Sequence, residues 1–125
     1  MLQKLLLIAL AGGLGTLARY GLSGAVQNWV GRDFPWGTAV VNLLGCFTFG
    51  VVWASMEGRW AASGETRALV LVGFMGAFTT FSTFVFETGA FLQDSQWALA
   101  LGNVALQNIV GVIALLLGMA VGNLL

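Results

Sequence analysis

The spacing of charged residues constrains this chain more than any other feature. Ten occur in 125 residues: Lys4, Arg19, Arg32, Asp33, Glu57, Arg59, Glu65, Arg67, Glu87 and Asp94. Between them, residues 34–56 form 23 uncharged positions, residues 68–86 form 19 and residues 95–125 form 31. A helix needs about 20 mostly apolar residues to cross the hydrocarbon core of a membrane. The first stretch is shorter, because residues 5–18 give 14 positions before Arg19. The apolar pattern resumes over residues 20–30, so we read one long helix with Arg19 inside it. The expectation is an all-α integral membrane protein, a single four-helix domain over residues 1–125, with spans at about 2–30, 34–56, 67–91 and 97–123.

Composition agrees and removes several function classes. The chain is 58% hydrophobic and 8% charged, against about 25% charged in an ordinary globular domain. It therefore lacks the polar residues to cover a water-facing surface. Five Lys+Arg balance five Asp+Glu, and a neutral chain without a basic cluster argues against nucleic acid as a partner. With no His and Cys46 as the one cysteine, there is no His-ligated haem, zinc cluster, His general base or intrachain disulfide. The chain reads as a non-enzyme whose surroundings are a lipid bilayer.

Lys4 followed by the apolar residues 5–10 also has the outline of a signal peptide. Its removal would destroy a span that the next residues continue. The connections at 31–35, 57–65 and about 92–95 are too short for a soluble domain, and Pro35 and Ser63-Gly64 are boundary signals. Four spans place both termini on one side, with Lys4, Arg59 and Arg67; Arg32 and Arg19 belong to the other. Orientation follows the excess of Lys and Arg in cytoplasmic loops. Three against two is almost none. Either the termini have a weak preference for the cytoplasm, or the chain inserts both ways, which would permit an antiparallel homodimer.

In lipid, helices associate through close approach over small residues. Gly12, Gly13 and Gly15 lie in the first span, Gly37, Gly45 and Gly50 in the second, and Gly111, Gly118 and Gly122 in the fourth. Taken together they imply helices in contact on several faces, and a four-helix bundle is thin enough to favour a homo-oligomer.

Polar side chains at membrane depth face a cavity or a partner. Arg19, Ser23 and Gln27 share one face of the first helix, although Arg19 could instead snorkel to the nearer interface. Thr38, Asn42 and Gly45 share a face of the second. Asn42 suits either a helix-to-helix hydrogen bond or a pore lining. The third span holds the most informative segment, Gly73-Phe74-Met75-Gly76-Ala77-Phe78-Thr79-Thr80-Phe81-Ser82-Thr83-Phe84. Gly73 and Gly76 weaken the helix at mid-span, and a helix broken there must bury its freed backbone groups or line a cavity with them. Thr79, Thr80, Ser82 and Thr83 offer hydroxyl donors without an accompanying Lys or Arg. Phe78, Phe81 and Phe84 recur every three residues, and phenyl rings have a positive edge. Such a lining suits a small anion that must not be trapped by a full positive charge. Plain aromatic packing, with the hydroxyls bonded to their own helix, accounts for the same residues.

These residues resemble those of the Fluc (CrcB-type) fluoride channels of bacteria, over nearly the whole chain. Gly12-Gly13, Gly15, Arg19 and Tyr20 are similar to that family's glycine-rich start, and Gly37-Thr38, Asn42, Gly45, Phe47 and Gly50 to its second motif. The run from Gly73 to Phe84 is the most specific match, and Asn103-Val104 with Gly111 supply the fourth helix. The resemblance implies an antiparallel dual-topology homodimer with two pores, which agrees with the balanced loop charges. It also implies a central, structural Na+ held by the backbone carbonyls of Gly76 and Thr79 at a mid-membrane break in helix three. Phe81 and Phe84 match the pore phenylalanines whose edges meet fluoride, and Asn42 the pore asparagine. Thr80, Ser82 and Thr83 fall in the hydroxyl-rich segment beside the pore. Glu87 matches a vestibule acid, and Arg19 is placed at the same vestibule. One departure stands out: Gln107 occupies a fourth-helix position where many members have Ser.

The implied function is a passive fluoride channel of the bacterial inner membrane, through which fluoride accumulated as HF leaves the cell. The chain has no ATP-binding motif, which argues against a pump. A small dual-topology multidrug or cation exporter is the alternative, but it should carry a mid-helix acid, and Glu87, the one candidate, lies near the end of helix three. A third possibility, a non-transporting subunit of a membrane complex, fits the hydroxyl and Asn positions less naturally.

Overall fold

The computed structural model describes residues 1–57 and 62–125. Arg59, counted above among the basic loop residues, lies outside them. The described residues contain helices and no strand. Helix α1 is Leu2–Val30 and α2 is Trp36–Glu57. A third span-length unit, Gly64–Gln93, divides into α3 (residues 64–78) and α4 (Phe81–Gln93). Helix α5 is Trp97–Gly122. These make four units long and apolar enough to cross a membrane.

Local chemistry sets the ends. Helix α1 stops at Gly31, whose φ of 116° lies in a region that residues with a Cβ avoid. Gln27 then ties the turn. Its Nε2 donates to the carbonyls of Gly31 and Phe34 (2.6 and 2.9 Å), and its Oε1 accepts the Gly37 N–H in the first turn of α2 (2.9 Å). Ser63 caps α3 by accepting the Thr66 N–H. Arg67 reaches back to the carbonyl end of α2, donating to Met56 at 2.9 Å and lying over the Trp53 ring.

Helix α2 is the spine. It packs against α1, against the second half of α5, and against the α3–α4 unit. Its approach to α5 depends on missing side chains. A Cβ on Gly118 would overlap the Phe47 carbonyl, one on Gly122 the Val51 carbonyl, and one on Gly50 the Leu115 carbonyl. The Gly118–Gly122 pair is thus used within the chain. Val41, Met75 and Phe78 form the small core, while long apolar side chains such as Leu6, Leu14 and Leu117 face outward. In lipid that outward surface carries no hydrophobic penalty.

The break in the third unit is displaced from the glycines that suggested it. Gly76 remains helical, at φ −63° and ψ −29°, and residues Ala68–Met75 form wide π-type turns. Gly73 serves close packing instead, since a Cβ there would meet Ala11 and the Ile8 carbonyl of α1 at 3.0 and 3.2 Å. The extended residues are Thr79 (ψ 159°) and Thr80 (φ −148°, ψ 111°). Phe78 is accordingly separated from Phe81 and Phe84. It stacks on Phe74 in the core, with ring centroids 5.9 Å apart.

Replacing Gly118 by Val should destabilise the fold by about 2–3 kcal/mol, the usual cost of forcing side-chain volume into a filled contact. Gly64→Ala, where an added Cβ meets nothing within 4 Å, should be neutral. Thermal unfolding in detergent reads both, and equal midpoints for the two variants would contradict the packing described.

Candidate functional site

The break at Thr79–Thr80 exposes backbone groups that a continuous helix would pair internally, and Asn42 of α2 replaces that pairing. The Thr80 N–H donates to Asn42 Oδ1 at 2.8 Å, and Asn42 Nδ2 donates to the Thr80 carbonyl at 3.0 Å. The side-chain amide thus stands in for a neighbouring strand. Thr80 also caps α4: its Oγ1 accepts the Thr83 N–H at 3.3 Å and lies 2.8 Å from Thr83 Oγ1. Both diversions have a consequence. In an unbroken helix the Thr80 and Thr83 amides would bond the carbonyls of Gly76 and Thr79; here they point to Asn42 and to the Thr80 hydroxyl.

The Thr38, Asn42 and Gly45 face of α2 meets three successive parts of the third unit. Gly45 leaves room for the Thr79 methyl group. Asn42 holds the Thr80 backbone. Thr38, 6% exposed, donates its hydroxyl to Glu87 Oε1 at 2.6 Å. The other Glu87 oxygen, Oε2, is buried without a hydrogen-bond partner.

Two open cavities meet at Thr80. One, of about 370 Å³, is lined by Asn42, Thr79, Thr80, Phe81, Phe84 and Gln107 among others, none of them charged. Phe84 is buried and Phe81 is 74% exposed; their rings are tilted by 51° with centroids 5.6 Å apart. The second cavity, of about 560 Å³, is lined by Arg19, Ser23, Gln27, Arg32, Thr80 and Thr83 with their neighbours. Arg19 therefore faces a cavity. Gln27 lines it too, although its amide is already engaged with the α1–α2 turn. Ser82 is exposed and lines neither cavity.

A polar chain runs from the break into α5. Asn42 Nδ2 donates to Gln107 Oε1 (2.6 Å), Gln107 Nε2 to Asn103 Oδ1 (2.8 Å), Asn103 Nδ2 to Thr88 Oγ1 (2.9 Å), and the Thr88 hydroxyl to the Phe84 carbonyl (2.8 Å). Asn103 is fully buried. Sequence reasoning did not single out Thr88 or connect it with Asn103. The available signal was Asn103 and Gln107 at i, i+4, which share a helix face.

Four span-length helices, with two cavities meeting at an interrupted helix, define a small multi-pass membrane protein. Residues 6–119 match the family model described as CrcB-like protein, Camphor Resistance (CrcB). Three bacterial relatives align over 100% of both chains: a protein of Solidesulfovibrio magneticus at 58% identity, one of Nitrosococcus oceani at 56% and one of Desulforapulum autotrophicum at 53%. Each bears the name fluoride-specific ion channel FluC. The chain belongs to the CrcB family.

Substituting Asn42 by Leu keeps volume and leaves the Thr80 N–H and C=O unpaired. An orphaned group costs roughly 1–3 kcal/mol when buried; Thr80 is half-buried, so the variant should unfold in detergent with a stability loss of about 1–2 kcal/mol. A wild-type melting profile for Asn42→Leu would show that the break does not depend on this pairing.

Proposed function

We propose that this chain is a passive fluoride-selective ion channel of the bacterial inner membrane, lowering cytoplasmic fluoride by letting the anion leave down its electrochemical gradient. The observation that carries the reading is the lining of the smaller cavity, where three phenyl rings (Phe49, Phe81 and Phe84), threonine hydroxyls and amide groups converge and no lysine or arginine is present. Ring edges and neutral donors attract a small anion at modest desolvation cost. A full positive charge would hold it too tightly for passage, since conduction needs sites weak enough to leave. The relatives named as fluoride channels support the same substrate. The exporter reading draws no support from them.

In this account the break at Thr79–Thr80 lies mid-membrane, and the chain assembles as an antiparallel dual-topology homodimer. The 74% exposure of Phe81 supports a second copy as its neighbour. Phe81 and Phe84 supply ring edges, Asn42 and Thr80 form the wall between the cavities, and Thr83 faces the larger one. Arg19 and Glu87 belong to the vestibule, with Thr38 fixing one Glu87 oxygen. Ser82, outside both cavities of the protomer, is left for the contact between copies.

A structural Na+ fits the residues present. The carbonyls of Gly76 and Thr79 are those whose usual amide donors are turned elsewhere, to Asn42 Oδ1 and Thr80 Oγ1, and oxygen ligands suit a hard cation. When bound, the ion would offset the convergence of negative carbonyl ends. Asn42 and the Thr80 hydroxyl keep those carbonyls available.

The test is efflux from liposomes holding the purified protein and loaded with potassium fluoride or potassium chloride, with an ionophore carrying the counter-ion. Fluoride should leave rapidly and chloride should be retained. Phe81→Ile, which removes a ring but little bulk, should fold and lose most fluoride flux. Absence of wild-type fluoride efflux would overturn the reading, and near-wild-type flux through a folded Phe81→Ile variant would remove the ring edges from it.

A further inference from the structure

Two cavities of opposite charge share a single arginine. The larger cavity, which reaches the break at Thr80, has Arg19 and Arg32 in its lining and no carboxylate. A third cavity, of about 540 Å³, lies between the α1–α2 turn and the α4–α5 turn, lined by Arg32, Asp33, Phe91 and Asp94 with their neighbours. Among the described residues, Arg32 is the one that lines both. The larger cavity therefore carries two positive charges, and the adjoining one carries a positive charge and two negative ones.

The turn that bears Arg32 is fixed on either side of it. Gln27 Nε2 donates to the Gly31 carbonyl before it and to the Phe34 carbonyl after it, at 2.6 and 2.9 Å. Phe34 in turn stacks on Phe91 of α4, with ring centroids 6.0 Å apart and planes 19° apart. The backbone of Arg32 is thereby held where the two cavities adjoin. Its side chain is exposed, as are those of Asp33 and Asp94, and none of the three is ion-paired among the described residues. All three charges act through water.

A solvated charge at the mouth of a cavity changes how often an ion enters, without holding the ion at a narrow contact. Such charges reach about 10 Å at 0.1 M salt and about 30 Å at 0.01 M. Resting on the channel reading above, we propose that Arg32 is an entry charge of the larger cavity, raising the local fluoride concentration there. Asp33 and Asp94, in the adjoining cavity, oppose that charge and set its strength. The pair of neighbours Arg32 and Asp33 thus splits its two signs between two cavities.

Unitary fluoride conductance in planar bilayers, at fluoride concentrations below saturation, reads entry directly, with ionic strength set by a salt of bulky impermeant ions. At an ionic strength of about 10 mM, Arg32→Gln should lower the conductance about threefold and Asp94→Asn should raise it about twofold, as expected for one unit charge acting through water. At about 1 M, where the screening length is about 3 Å, both variants should return close to the wild type. Arg32→Lys keeps the charge and should recover most of what Arg32→Gln loses. The exchange of Arg32→Asp with Asp33→Arg keeps the net charge, places a carboxylate in the larger cavity, and should conduct less than Arg32→Gln. These side chains are exposed, so every variant should elute from size exclusion as the wild type does. Wild-type conductance in Arg32→Gln or in the exchanged protein at low salt would overturn the entry role. So would a loss that persists at high salt or that lysine does not recover. An unchanged Asp94→Asn would overturn the opposing role of the adjoining cavity. Wild-type protein without fluoride conductance would overturn the channel reading instead.

Discussion

A helix interrupted inside a folded protein must find partners for the backbone groups it releases, and at Thr80 both the N–H and the C=O find theirs in one amide, that of Asn42. Away from water, an unpaired N–H or C=O costs enough that irregular backbone survives only where it is buried in protein or faces a wet cavity. Asn42 meets both demands of Thr80, donating to its carbonyl and accepting from its N–H. Everything nearest the cavities follows from that pairing. It separates Phe78 from Phe81 and Phe84, sending the first into the core and the other two to the cavity. It also turns the Thr80 N–H away from the Gly76 carbonyl and fixes the order of donors that ends on Phe84.

The pairing in turn requires α2 to sit very close to the break. Gly45 allows it, since the Thr79 methyl lies where a side chain would begin. One turn nearer the start of α2, Thr38 secures α4 through Glu87. On its far side, α2 is gripped by α5 at Gly50, Gly118 and Gly122, with no room for a Cβ at any of the three. The glycines therefore serve close helix contact more than flexibility, as expected where apolar burial gives helices no preference over lipid. A rigid α2 is what lets a single amide set the geometry of two cavities.

Much of this is readable in the chain because charge and periodicity act over short distances. Ten charges mark the limits of the apolar runs, and i, i+4 spacing places Thr38 and Asn42 on the face that meets Glu87 and Thr80. The position of the break is less readable. Gly73 and Gly76 carry a low helix propensity, yet tertiary contact with α1 keeps Gly73 helical, and hydrogen bonds from a different helix decide that Thr79 and Thr80 are extended. Gln27 shares a helix face with Arg19 and Ser23, but nothing local in the sequence marks it as the residue that ties the turn, whose geometry depends on Gly31. Gln107 bonds Asn103, one turn away on the same helix, and Asn42, 65 residues distant in sequence; only the first of these is contained in a local pattern.

The most direct measurement of the central pairing is hydrogen exchange at the Thr80 amide, resolved by NMR on the protein in detergent or lipid. Thr80 precedes α4 and makes no backbone-to-backbone hydrogen bond through its N–H, so ordinary loop behaviour would be rapid exchange. The account predicts that this amide is protected to the level of the neighbouring helices, and that protection disappears in Asn42→Ala while the amides of α5 retain theirs. Rapid exchange at Thr80 in the wild type, or protection that survives the loss of Asn42, would contradict it.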